Sequence, residues 1–443
     1  MSATDGTTQD APGPPRRGGL DLGHLLRALR HRNYVLFFGG QGLSLIGTWM
    51  QLAALQWLVF RITGRNSAPG ELAFYSMVPT LVLFPIAGVL GDRFNRRVMV
   101  IILQSLAAIQ ALVLALVAYN GHVKFWHVVG LGVFAGVVRS FEIPIRQAFV
   151  VEMLEDRRDL PGAIALNSFL FNGAFIVGPS LAGLVIYLSG GNEAPCFLIN
   201  GISFVTVIFA LLAMRVKPRA TGPAKISPVR SFLDGLRYTA AHMPIRRAIM
   251  MVAFMALVAM QYTTLMPVVA KVVLHGDERT QGYLLSAVGA GAVVGALILA
   301  CQRGPEALHR LMPLGATIFG IGLVAFSFSR ALWVSVGILV LAGVGRMILM
   351  ASANTYVQTL VDDDKRTRVM AFYALAMMGM APVGSLMLGT IANTPLGAPG
   401  SILLAGGASV LGAILFVGRL PAVREPIRAL ARPDEPESAS AAS

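Results

Sequence analysis

The feature that most narrows the fold is a repeated one: twelve apolar runs, each long enough to cross a bilayer as a helix, separated by short polar breaks. A hydrocarbon core of about 30 Å takes about 20 helical residues. The runs are read at 34–60, 71–91, 97–119, 125–148, 163–188 and 195–215, then at 247–273, 280–302, 308–328, 331–360, 368–393 and 397–419. Those longer than about 25 residues imply tilt, or ends that project into water. Only 13% of the residues are charged and 55% are hydrophobic, whereas a soluble chain carries about a quarter charged. Lipid is therefore the solvent of most of this chain. In lipid a spanning segment must satisfy its own backbone, which a helix does. The expected fold class is an all-α membrane protein: twelve transmembrane helices in two pseudo-symmetric six-helix bundles.

The longest polar stretch between runs, 216–246, lies at the midpoint and carries Lys217, Arg219, Lys225, Arg230, Arg237 and Arg246. It is read as a cytoplasmic connector between an N-terminal bundle, 31–215, and a C-terminal bundle, 247–420. Residues 1–30 have no apolar core of a signal peptide. They and the Pro/Ala/Ser/Glu-rich residues 421–443 are read as disordered cytoplasmic ends. The net charge of +14 raises the possibility of a nucleic-acid partner, but its placement argues otherwise. With both termini cytoplasmic, 27 of the 36 Lys and Arg residues fall on the inner side and 6 on the outer side. That is the bias of a multi-pass protein of a bacterial inner membrane. Cys196 and Cys301 fall at opposite faces, and no His/Cys cluster has metal-ligand spacing.

An internal repeat appears at an offset of 207 residues: Gly136-Val-Val-Arg139 matches Gly343-Val-Gly-Arg346, and Phe149-Val150 matches Tyr356-Val357. Parallel half-repeats about an axis along the membrane normal are one way in which transporters are built.

The most specific motif follows the second run: Gly88-Val-Leu90-Gly-Asp92-Arg93-Phe-Asn95-Arg96-Arg97. It resembles the signature loop of the major facilitator superfamily, G-x-L-x-D-R-x-G-R-R, with Asn95 where Gly is usual. Asn tolerates a left-handed backbone, so the tight turn is expected to survive. The resemblance implies a gating latch formed by Gly88, Leu90, Asp92, Arg93, Arg96 and Arg97. Gly88 would allow close approach of the other half, and Asp92 would meet the positive N-terminal end of the eleventh helix, near Arg368. The arginines would hold the loop through acidic side chains and lipid phosphates.

A second group lies in the fourth run: Arg139, Glu142, Pro144 and Arg146. Spacings of three and four put the three charges on one helical face. Charge at membrane depth is costly unless it is paired or faces a wet cavity. Glu142 is the one acidic residue well inside a run, which makes it a proton-site candidate; a fixed ion pair is the competing reading. In the fifth run, Ala174-x-x-x-Gly178-Pro179-x-x-Ala182-Gly183 resembles the antiporter motif of facilitator exporters, with two Gly replaced by Ala. Gly178, Pro179 and Gly183 are read as a bend and a close contact with the eighth helix. The resemblance implies that helices 1, 4, 7 and 10 line a central cavity. Gln41, Thr48, Gln51, Gln261, Tyr262, Arg346 and Asn354 on those helices are the substrate-cavity candidates, with interhelical hydrogen bonding as the alternative for each. Arg346, with no obvious acidic partner, suits an anionic or phenolic substrate.

Further segments widen the resemblance: Arg32-Asn33-Tyr34, Gly47-Thr48-Trp49-Met50-Gln51, Gln56-Trp57-Leu58-Val59, Asn167-Ser168 and Asp234-Gly235-Leu236-Arg237-Tyr238. They resemble the enterobactin-exporter-like branch of the superfamily, over about 30–420. That implies proton-coupled export of small amphipathic molecules by a monomer whose partners are the bilayer, the substrate and protons. A lysolipid-flipping facilitator or an uptake carrier of the same fold is the alternative. No catalytic set and no phosphate-cradling loop is present, so neither an enzyme nor direct ATP use is expected. No cofactor is expected either.

Overall fold

The computed structural model describes residues 27–91, 94–154, 159–214, 228–300, 305–362 and 364–417. Within them the apolar runs are helices, named here α1 Arg32–Thr63, α2 Ala68–Gly91, α3 Arg96–Tyr119, α4 Phe125–Glu152, α5 Leu160–Leu188 and α6 Ala194–Ala213. The second half continues with α7 Met243–Val273, α8 Glu278–Ala300, α9 Pro305–Phe328, α10 Leu332–Leu360, α11 Arg366–Ala392 and α12 Gly397–Val417. Eleven of these are long and apolar enough to span a bilayer, and the 24-residue α2 stands between the first two of them. The chain is a multi-pass membrane protein.

The short breaks alternate between two ends of the bundle. One end, called here the distal face, carries the turns at 64–67, 120–124, 189–193, 274–277, 329–331 and 393–396. The other, the terminal face, carries the N-terminal end of α1, the break between α6 and α7, and the end of α12.

Two local features depart from the sequence reading. The segment α7 is not one uniform helix. It is α-helical to Val258, a 3-10 turn over Met260–Leu265, and a π-helical turn over Val269–Val273. Pro267 explains the break, because it supplies no N–H to the ladder. The polar connector also holds a helix, Pro228–Ala241. It docks on the start of α11 through Asp234 and Arg368, 3.2 Å apart, and Tyr238 donates to Asp362 at 2.9 Å.

Packing differs sharply between the two faces. Toward the distal face a single apolar core runs across both halves, from Met50, Leu58 and Phe197 to Tyr262, Leu284 and Leu388. Toward the terminal face the core divides in two. One part, around Phe37, Ile145 and Phe149, belongs to the N-terminal half. The other, around Val252, Leu349 and Tyr373, belongs to the C-terminal half. Among the described residues the apolar core is thus continuous across the halves at one end and divided between them at the other, which marks a vestibule on the terminal side.

Candidate functional site

Distal closure rests on small residues. Gly70 of α2 lies against the Ser385 carbonyl and Gly389 of α11, and Asn66 donates to the Ala392 carbonyl at 3.0 Å. On the opposite side of the molecule α5 meets α8. A Cβ on Gly183 would come within 2.6 Å of the Glu278 carbonyl, and one on Gly282 within 2.7 Å of the Pro179 carbonyl. The Ser180 and Ser286 hydroxyls, 2.6 Å apart, close that seam, and Gln281 reaches across to the Ala53 carbonyl at 3.1 Å. Gly183 and Pro179 therefore sit at the expected α5–α8 contact. Gly178 instead packs on α1, where a Cβ would approach Trp49 Cβ at 2.6 Å.

The charged residues of α4 and α10 occupy matching positions. In α4 the outward face carries Trp126, Gly130 and Phe134; in α10 it carries Trp333, Gly337 and Leu341, each 207 residues later. Arg139 follows Gly130 by nine residues, and Arg346 follows Gly337 by nine. At 100° per residue, nine residues are half a revolution, so each arginine points inward, directly opposite the lipid-facing side. The glycine three residues earlier fixes that rotation: Gly136 packs on Ser76 and Pro79 of α2, and Gly343 on Val288 and Gly291 of α8. Both arginines stand near the middle of their helices.

Their surroundings differ. The Arg139 side chain is accessible although protein surrounds it, as a side chain in an internal vestibule must be. Glu142 lies within its Coulombic reach but pairs with Arg146, Nε to Oε1, at 2.6 Å. The Nε–H is not aimed at the carboxylate and makes no hydrogen bond, so the contact is an ion pair. Arg346 is half-buried and lies within Coulombic range of Tyr262 of α7. That tyrosine is fully buried, its ring is tilted against Phe319 at 5.7 Å, and its hydroxyl has no hydrogen-bond partner.

Family comparison then identifies the chain. A family model described as transmembrane secretion effector, within the major facilitator superfamily, matches residues 26–441. The chain is a major facilitator transporter of this family. The transporter is 24% identical over 361 residues to the staphyloferrin A transporter of Staphylococcus aureus, covering 81% of this chain and 89% of that one. It is 25% identical over 391 residues to the multidrug efflux pump Tap of Mycobacterium tuberculosis, covering 86% and 91%. Among solved structures it shares the fold of the nucleoside transporter NupG, with a TM-score of 0.66 and 15% identity over 88% of this chain and 98% of that one. A bacterial homolog of the human lysosomal transporter Spinster, in an inward-facing unoccupied conformation, has the same fold. Its TM-score is 0.69, at 14% identity over 92% of this chain and 99% of that one. These relatives are transporters and not enzymes, and they agree with the exporter-like resemblance carried by the sequence motifs.

The remaining candidates fall in several places in the transporter. Gly88 and Leu90 lie in α2 among residues whose side chains are not described, and Asp92 and Arg93 lie outside the described residues. Arg96 bridges to Glu152 of α4 at 2.7 Å, and Arg97 donates to the Leu211 and Leu212 carbonyls at the end of α6. Both arginines thus tie the start of α3 to its own bundle. The expected left-handed turn at Asn95 is corrected: its φ is −63° and ψ is 113°, and its side chain accepts from Val98 N–H. Asn95 is the N-cap of α3, a role for which Asn is well suited and Gly has no side chain.

Gln51 is held inside the N-terminal bundle. It donates to Gln110 of α3 at 3.0 Å and accepts from Asn200 of α6 at 2.8 Å, while Gln110 donates to the Leu131 carbonyl of α4. Gln41 is buried and its Oε1 has no partner; Thr48 donates to the Ser44 carbonyl. Gln261 is half-buried in the 3-10 turn of α7, and Asn354 accepts from Gln358 at 2.6 Å. Gln51 thus takes the interhelical hydrogen-bonding role, with Gln110 and Asn200 as partners that the sequence reading did not name. The network's signal in the sequence is an amide in the middle of each of three apolar runs.

Proposed function

We propose that this transporter is a secondary active exporter of small amphipathic molecules, working by alternating access and coupled to protons. The observation that carries the reading is the vestibule: closed by a shared core at one face, open between two separate cores at the other, and lined near mid-helix by charge. Rocking the halves about such a site is how two-bundle carriers exchange its exposure. The charge distribution of the loops supports a cytoplasmic terminal face, so the open vestibule would receive substrate from the cytoplasm. The relatives named for efflux and for a siderophore support export of amphipathic cargo.

Glu142 is the proposed proton carrier. It is the one carboxylate well inside a described membrane-spanning helix. Its ion pair with Arg146 lacks an aligned hydrogen bond, and a carboxylate loses much of its reason to stay charged when such a partner swings away. Protonation in one state and release in the other would link the gradient to the rocking of the halves.

The test is proton movement in reconstituted proteoliposomes containing a pH-sensitive dye, with a panel of siderophores, dyes and apolar drugs. Substrate-evoked proton flux in wild type, abolished in Glu142→Gln, is the expected result. Flux that persists in Glu142→Gln returns Glu142 to a structural ion pair. Substrate movement without any proton flux overturns the coupling.

A further inference from the structure

Four charges lie well inside the described membrane-spanning helices: Arg139, Glu142 and Arg146 on α4, and Arg346 on α10. Every other Asp and Glu of the described membrane-spanning helices stands in an end turn or at a cap. The helix interiors therefore carry three cations against one anion. Glu142 is paired with Arg146. Arg139 and Arg346 make no hydrogen bond and no ion pair of their own among the described residues. Glu142 lies within Coulombic range of the first and Tyr262 of the second.

An uncompensated guanidinium at membrane depth is expensive unless water or a counter-ion reaches it. Here the two project from pseudo-equivalent helices, each facing away from lipid, toward the axis where the halves separate. Tyr262 adds an O–H with no partner, fully buried and within Coulombic range of Arg346. A buried polar group of this kind has hydrogen-bonding capacity to offer a ligand. The walls around this cluster are apolar: Tyr262 belongs to the core shared by both halves, and Val138 and Ile145 flank the α4 charges.

We propose that the transported molecule is an amphipathic anion, whose carboxylate, sulfonate or phenolate is held between Arg139 and Arg346 with Tyr262 donating to it, and whose apolar body lies on the vestibule wall. This rests on the export reading and names its substrate class. Two arginines on equivalent helices of the two halves give the anion a direct part in gating. It neutralises both sides of the vestibule at once, so the halves can close over it without burying two like charges. An empty vestibule would have to bring those charges together in a drying space, which opposes closure without cargo.

The experiment uses a matched pair of fluorescent probes with one apolar body: anilinonaphthalene sulfonate, an anion, and phenylnaphthylamine, its neutral counterpart. Their affinities are measured on the purified full chain, wild type beside Arg139→Gln, Arg346→Gln and Arg346→Lys. Wild type is expected to prefer the anion. Each Gln variant should weaken the anion by about tenfold or more, as loss of a charged hydrogen-bond partner does, while the neutral probe is unchanged. Arg346→Lys should recover part of the loss. Equal affinity for the two probes in wild type, or weakening of both probes in parallel, overturns the proposal. Displacement of the bound anion by lysophosphatidylglycerol but not by lysophosphatidylcholine would support it with a lipid headgroup as the source. Displacement by soluble amphipathic carboxylates alone would support it with a free solute. Proteoliposome transport then separates the two levels of the argument. Arginine-dependent binding with no movement of either probe removes the export reading and keeps the site. Movement of the neutral probe with exclusion of the anion keeps export and removes the anion site.

Discussion

At the scale of single residues, the N-terminal bundle is held by side-chain amides placed where lipid gives them no other partner. Asn200 donates to Gln51, and Ser203 donates to Asn200 Oδ1 at 3.1 Å. Gly47 provides the room, since a Cβ there would meet Asn200 Oδ1 at 2.5 Å and Ser203 Oγ at 2.8 Å. Asn200→Leu removes a donor from Gln51 and forces a branched side chain against α1. Interhelical hydrogen bonds in membranes contribute about 0.6 kcal/mol each, and overpacking adds about 1–3 kcal/mol. The expected loss is therefore about 2–4 kcal/mol, read as a lowered unfolding midpoint in detergent. An unchanged midpoint would mean that the network is dispensable. This network also marks a limit of what the sequence could tell. Gln51 stands out as a polar residue in an apolar run, yet its partners are 59 and 149 residues away. Periodicity says which way a side chain points on its own helix and nothing about which amide meets it. Asn95 failed for a related reason: its neighbours in the motif suggest a turn, but the first apolar residues of α3 make the same position a helix cap.

At the scale of elements, the helices themselves were legible, because each must bury or expose an unbroken apolar surface over the thickness of the bilayer. Their ends move by a few residues, as expected where water begins and polar residues can cap. The broken α7 and the connector helix were not legible. A 3-10 or π turn leaves hydropathy unchanged, and an amphipathic helix of 14 residues reads as a polar linker when judged by apolar length alone. The glycines that join helices across the two halves carry the clearest consequence at this scale. Gly70 of α2 lies on the Ser385 carbonyl, with Gly389 beside it. Gly70→Leu places a side chain where α11 backbone now sits, and neither backbone can yield without moving its helix. The expected result is a separated α2–α11 seam at the distal face. Spin labels at Arg65 and Asn393 should report a longer and broader distance distribution in the variant than in wild type. The same distribution in both would mean that this contact does not set the closure.

At the scale of the whole molecule, the two-half architecture was legible from the repeat and the midpoint connector. The conformational state was not. One sequence must support closure at either face in turn, so no residue pattern favours the distal seal seen here. That seal and the loop charges together make a directional prediction. In a chain with Cys196 and Cys301 replaced by alanine, Gln358→Cys lies in the exposed part of α10 on the terminal side, and Leu396→Cys lies in an exposed distal turn. A membrane-impermeant maleimide should label Gln358→Cys in inside-out vesicles only and Leu396→Cys in right-side-out vesicles only. The reverse pattern would turn the molecule over and make the open vestibule face outward. Ser385→Cys, fully buried on α11 against Gly70, tests the motion itself. It should stay unlabelled from either side at rest. Once a proton gradient and substrate drive turnover, it should become reactive from the outside. A buried position opens on that schedule only if the distal core parts, so labelling that stays flat during demonstrable transport would rule out rocking of the two halves about the α2–α11 seam as the step that releases substrate.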